Sequence, residues 1–335
     1  MMLHYDPQRS STTDVVRQAM IPLSRLPGQG GQSLAALLRP GRSPMRSRNV
    51  LPETMVTHSW ANKFLHLVAA VVADALKEDY FGEVAQIMTT VGIAPLIERL
   101  EKNGSCDDSY WICAFCINQH ASICSGFGTP PDEGTPQFAR WDTSRRDSVT
   151  GDLFQACPCG QQQHWASTSP DRCEMNKFTD MMALLQNRVE GFSQLVAVDG
   201  QFNVFERAWC VAELVEAHYS GMPQNIEMLD DTELDIYADD LSVFKKLTNL
   251  TVLDCSSSRP EDKEAILATI GNVAEFDAQL QAVIFGKGGL LSRQFIGFDS
   301  LDAAGRAARR VAAAATLMRA KSRERSLPTR PSTDT

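Results

Sequence analysis

The chain has few aromatic residues, 7% of 335, and no stretch approaches eighteen consecutive apolar residues, which excludes a transmembrane helix. Its nine cysteines are too sparse for a disulfide scaffold, and their odd number argues the same way. Residues 1–30 lack the apolar run of a secretory signal, so a reducing, cytoplasmic setting is expected. The Arg- and Ser-rich start keeps organellar targeting as the alternative. What is present, 43% hydrophobic and 22% charged residues, excludes a disordered, collagen-like or fibrous chain.

Positive charge is scarce in the middle of the chain. Residues 1–50 carry seven Arg against two Asp, and residues 302–335 carry eight basic against three acidic residues. Both ends are therefore at +5, and the interior 51–301 holds −19 of a net −9. An acidic body repels phosphates, so no nucleic-acid partner is expected.

Residues 1–50 read as a flexible, disordered basic tail with one apolar turn at Leu34–Leu38. Residues 51–301 read as one α/β domain interrupted by a Cys-rich insertion at 121–173. Residues 302–335 read as a second basic, Ala/Arg-rich tail, partly helical. Within the body, strands are expected at 55–60, 110–117, 195–199, 226–229 and 250–255. Helices are expected at 64–76, 83–101, 176–190, 207–219 and 276–285. Phe64, Leu67, Val68, Val71, Val72, Ala75 and Leu76 trace one buried helical stripe. Strands alternating with helices predict a doubly wound parallel sheet of about five strands.

In such a sheet ligands bind beyond the carboxyl ends of the strands. Three expected strands end in His58-Ser59-Trp60, in Asn118-Gln119-His120 and in Asp199. These side chains either converge on a small-molecule crevice or tie down loops through hydrogen bonds. On the helix near 207–219, Glu213, Glu216 and Ser220 share one face, with Trp209 one turn before Glu213. That face is either a solvated acidic stripe or the bearer of a catalytic carboxylate.

Phe205-Glu206-Arg207-Ala208-Trp209-Cys210-Val211-Ala212-Glu213-Leu214 resembles the Trp-Cys-x-x-Glu-Leu signature of TIR (Toll/interleukin-1 receptor) domains. Thr57-His58-Ser59-Trp60 and Phe115-Cys116-Ile117-Asn118-Gln119-His120 look like the first two strand ends of a divergent TIR-like group in protists and algae. The resemblance covers roughly 51–285. It implies a flavodoxin-like fold and one of two roles. In the first, the domain hydrolyses NAD at the nicotinamide–ribose bond with Glu213 as the catalytic carboxylate and no cofactor required. His58, Trp60, Asn118, Gln119, His120, Asp199, Arg207 and Trp209 then line the ligand site. In the second, it is a non-catalytic signalling module that self-associates or binds another TIR-like domain. The sequence departs from the plant-type pattern in its first-strand motif. Asp199 adds negative charge where many members carry Ser, so Arg207 or Lys63 would have to meet the pyrophosphate.

The insertion carries Cys157-x-Cys159-x4-His164-x8-Cys173, four soft donors in seventeen residues. That set suits a structural zinc, with Cys106 and Cys124 as alternative donors and free thiols in a loop as the bland alternative. Cys113 and Cys116 lie on an expected strand and read as a buried structural pair.

Overall fold

In the computed structural model, which describes residues 4–26, 28, 30–38, 51–164, 169–174, 178–230, 242–257, 260–286 and 289–291, the run Thr54–His58 (β1) is a central strand. Around it a parallel sheet forms with Tyr110–Ile112 (β2), Ser193–Ala197 (β3) and Gln224–Glu227 (β4) in the order β2-β1-β3-β4. Val56 pairs with Ile112 on one side and Leu195 on the other, and Val196 pairs with Ile226. From β1 the chain crosses first to one neighbour and then to the other. The switch point therefore lies between β1 and β3, at the carboxyl ends of which such sheets commonly bind ligands.

Both faces of the sheet are covered, which is why the strands read as apolar runs rather than alternating ones. Val56, Leu195 and Ala197 pack under Phe64–Leu76 (α1), Gly82–Thr90 (α2) and Ala94–Asn103 (α3). Val196, Val198 and Ile226 pack on the other side, beneath Ala208–Tyr219 (α5), Pro260–Thr269 (α6) and Val273–Phe285 (α7). Phe178–Arg188 (α4) covers Met55 with Met182 and Leu185.

Several expectations need correction. The helix expected over 83–101 is two helices, broken at Gly92, whose φ of 102° suits glycine, with Pro95 in the first turn of α3. The strand expected over 110–117 stops at Ile112, and Cys113–Cys116 make a single helical turn. No fifth strand joins this sheet among the described residues. At 250–255 the chain turns instead, with the Asp277 carboxylate accepting from the Val252 amide and the Thr251 hydroxyl from the Leu253 amide. Side chains that satisfy the backbone locally remove its need for a ladder partner. One parallel bridge, Arg207 to Ser256, remains.

The largest correction concerns the amino-terminal segment. A continuous helix runs from Thr12 to Ser24, its middle turn Val16–Met20 wound as a π-helix, where the sequence suggested flexible chain. A Ser11/Asp14 capping box starts it, and Pro22 stands early in its last turn. Val15, Val16, Met20 and Ile21 bury against Leu34, Ala114 and Cys124. Backbone bonds from Thr12 to Asn62 (2.8 Å) and Thr13 to Trp60 (3.1 Å) fasten it to the loop after β1. The Ala/Arg-rich stretch 302–335 lies outside the described residues.

Candidate active site

Glu213 stands on α5, whose other residues are largely apolar because the helix lies against the sheet. Its side chain belongs to the lining of a cavity of about 350 Å³ at the carboxyl end of β1. His58, Trp60, Arg207 and Trp209 line the same cavity, and the amino-terminal helix contributes Thr13 and Arg17. Glu213 is partly shielded, and the surface it keeps faces this cavity. Glu216, one turn on, lines a different groove on the outer side of α5. The two carboxylates that share a helix face in the sequence therefore serve separate surfaces.

Glu213 Oε2 accepts a 2.6 Å bond from the Thr57 hydroxyl. Thr57 Oγ1 accepts from Gln194 Nε2 at 2.8 Å, and Gln194 Oε1 accepts from Gln224 Nε2 at 2.7 Å. This chain crosses β1, β3 and β4 beneath α5. Each of its members orients the next, so the carboxylate is held from below by three strands. Burial pushes Glu213 up to about 7, and the Thr57 hydrogen bond pulls the other way. The group is thus poised between its charged and neutral forms near neutrality.

The remaining lining is largely apolar and aromatic, but two further carboxylates, Glu174 and Asp262, also border the cavity. Trp60 turns its indole N–H onto Cys113 Sγ at 3.3 Å, which sets the ring as a wall. Trp209 packs edge-on to Phe178, with centroids 5.4 Å apart, and its buried Nε1 has no partner among the described residues. His58 is buried and pushed down to about 4 by desolvation, hence neutral. Its Nδ1 lies 3.4 Å from the Val56 carbonyl, leaving Nε2 unpaired among the described residues.

Two cations border this group. Arg17, lowered to about 10 by burial and still charged at neutral pH, donates to the carbonyls of Ile123 (2.8 Å) and Gly126 (3.1 Å). Its guanidinium lies 4.2 Å above the Phe127 ring. Arg207 bonds Ser256 Oγ at 3.3 Å.

Other residues expected at this site do different work. Asp199 accepts from the amides of Gln201, Asn203 and Val204 at 3.0–3.1 Å and is not part of the lining. It ties down the loop in which Phe202 takes a left-handed φ of 57°. Gln119 donates to the carbonyls of Cys113 and Ala114, bracing the turn after β2. Asn118 donates to the Gly31 carbonyl at 3.1 Å and so holds the amino-terminal hairpin. For these three the tie-down reading is the one observed.

His120 also lies outside the lining. It is buried in a group with Cys124, Cys157 and Cys159, whose donor atoms all lie within 4.8 Å of one another and could hold a metal ion. Cys157 and Cys159 are two of the four donors expected from the insertion. His164 and Cys173 are not in the group, and His120 and Cys124 take their places. None of the nine cysteines forms a disulfide.

Compared with known proteins, the chain matches no protein family, no curated protein and no solved structure.

Proposed function

We propose that this is a TIR-like signalling enzyme that hydrolyses NAD at the nicotinamide–ribose bond, with Glu213 as its catalytic carboxylate. The observation that carries the reading is that Glu213 lies in one cavity with His58, Trp60, Arg207 and Trp209, held from beneath by Thr57. The strand order β2-β1-β3-β4 is compatible with a flavodoxin-like sheet, and the cavity lies at the carboxyl ends of β1 and β2, covered by α5.

The chemistry asks little of the protein. The C–N bond between ribose and the cationic pyridinium breaks, its electron pair leaving with neutral nicotinamide, so no general acid is needed. Positive charge develops on the ribose, and an ionised Glu213 stabilises it. Water adds to the ribose carbon and loses a proton, giving ADP-ribose. No metal or other cofactor enters this sequence.

A cavity of about 350 Å³ suits a nucleoside-sized group and leaves the rest of a dinucleotide outside it. Trp60 and Trp209 offer aromatic faces, and Arg17 and Arg207 offset the negative charge of the body toward a pyrophosphate. Asp199 does not oppose this, since three backbone amides already meet its carboxylate. The test is whether the purified full chain converts NAD into equal amounts of nicotinamide and ADP-ribose. An intact NAD pool over folded, self-associated protein counts against the reading.

One observation favours the second role, a self-associating module. The outer side of α5 bears a groove of about 710 Å³ with Val215, Tyr219, Ile266 and Phe276 in its walls, and Tyr219 is 60% exposed. If this groove seats a second copy, Tyr219→Asp lowers the sedimentation coefficient without altering the cavity at Glu213.

A further inference from the structure

We propose that His120, Cys124, Cys157 and Cys159 bind one zinc ion tetrahedrally, and that this ion fastens the amino-terminal segment across the cavity. The proposal stands apart from the chemistry at Glu213 and does not depend on it.

The distances carry the first part. Cys124 Sγ and Cys159 Sγ are 3.5 Å apart, and Cys157 Sγ is 3.8 Å from His120 Nδ1. A tetrahedral ion with Zn–S near 2.3 Å and Zn–N near 2.0 Å separates its donors by roughly 3.5–3.8 Å. Three thiolates and one imidazole are a common structural zinc set, and softer donors of this kind disfavour magnesium or calcium.

The surroundings of the donors carry the second part. His120 Nε2 lies 3.1 Å from Ser24 Oγ, which itself donates to the Met20 carbonyl at 2.6 Å. With its own proton committed to Met20, the hydroxyl accepts from Nε2–H. That fixes the tautomer and leaves the Nδ1 lone pair toward the sulfurs, as a ligating histidine requires. Gly160 takes a left-handed φ of 68°, and the next amide, Gln161 N–H, donates to Cys159 Sγ at 3.5 Å. An N–H directed at sulfur stabilises a thiolate. Binding would displace the thiol protons to solvent, so the ion replaces up to three of them.

The ion would join three pieces of chain that share only a small apolar cluster around Val16, Met20, Leu34 and Cys124. Ser24 and the strand pair Arg25–Leu26/Gly30–Gly31 come from the amino terminus, His120 and Cys124 from the turns just after β2 where the insertion begins, and Cys157 and Cys159 from the far part of the insertion. Gly31 runs so close over the imidazole that a β-carbon there would lie 2.1 Å from His120 Cδ2. Gln161 Oε1 accepts from the Gly31 amide at 2.8 Å, closing the seam. The helix carrying Thr13 and Arg17 leads directly into this seam, so metal at the quartet would hold one wall of the cavity.

The experiment is elemental analysis of the full chain, expressed with zinc and purified under reductant. One zinc per chain is expected, lost in both Cys124→Ser and Cys159→Ser and retained in Cys106→Ser, whose thiol is exposed. Because a ligand variant can fail to fold, wild type is also reconstituted with cobalt(II). The intense visible bands and thiolate charge transfer of a tetrahedral Cys3His site are expected. Chelation should then open residues 12–38 to trypsin at Arg17 and Arg25 while the sheet keeps its circular dichroism. Folded wild type with no bound zinc and no cobalt spectrum overturns the proposal. So does zinc that survives Cys124→Ser but is lost in Cys173→Ser.

Discussion

The hydroxyl of Thr57 donates to Glu213 Oε2 at 2.6 Å, joining the central strand to the helix that bears the carboxylate. This bond favours the ionised form of a group whose burial favours the neutral one. Thr57→Val removes the donor at nearly constant volume. The Glu213 carboxyl then rises further, and the acidic limb of any Glu213-dependent rate should move up by about one pH unit. It also leaves Gln194 Nε2 without its partner, so a stability loss of about 1–3 kcal/mol should accompany it in urea melts.

Stability should depend on pH through the same group. Glu213 is raised from 4.5 to about 7 in the folded protein, so the native state binds its proton more tightly than the unfolded chain. Its contribution is greatest below the unfolded value and is lost as pH rises from 4.5 to about 7. The full effect is at most about 3 kcal/mol. Glu227, raised to about 8 mainly by burial, adds a slope of the same sign. Glu213→Gln should therefore flatten part of the decline and leave the share of Glu227, as chemical melts at pH 4.5, 6 and 7.5 would show.

Arg17 spans the amino-terminal helix and the loop at Ile123 and Gly126. Arg17→Met keeps the aliphatic stem but leaves two carbonyls without their charged donor. The expected cost is about 2 kcal/mol. Hydrogen exchange should rise in residues 12–24 and 121–127 before it rises in the sheet.

Gly31→Ala should be poorly tolerated for a steric reason, since the added carbon meets the His120 ring. The ring or the hairpin must shift, at about 1–3 kcal/mol. Thermal melts and the protease sensitivity of residues 25–38 would report it. Gly126→Ala, where an added β-carbon meets nothing within 4 Å, should leave both unchanged.

The four sheet strands and the helix that bears Glu213 were largely readable from residues 54–58, 193–198 and 208–217, because apolar runs and helical spacing follow burial directly; Glu213 itself was singled out by the resemblance, not by spacing. The amino-terminal helix was hidden for a physical reason. Its π-wound middle turn spaces Val15, Val16, Met20 and Ile21 wider than an α-helical stripe, within an Arg- and Pro-rich context. At 110–117 an unbroken apolar run could not reveal where strand gives way to helix. Gln194 and Gln224 are polar residues in buried strands, and only their mutual bond and the Thr57 contact explain them. The donor quartet joins His120 and Cys124 to Cys157 and Cys159 across more than thirty residues, so close spacing led to His164 and Cys173, with Cys124 named only as an alternative donor. His120 was singled out, but as a crevice residue.

The most direct measurement is nicotinamide release from NAD by the full chain at high protein concentration, beside Glu213→Gln. The full chain matters because Thr13 and Arg17 complete the cavity. The account predicts release by wild type, rising with pH as Glu213 ionises near 7, and no release by the variant. Equal release from both, or none from folded and self-associated wild type, would contradict it.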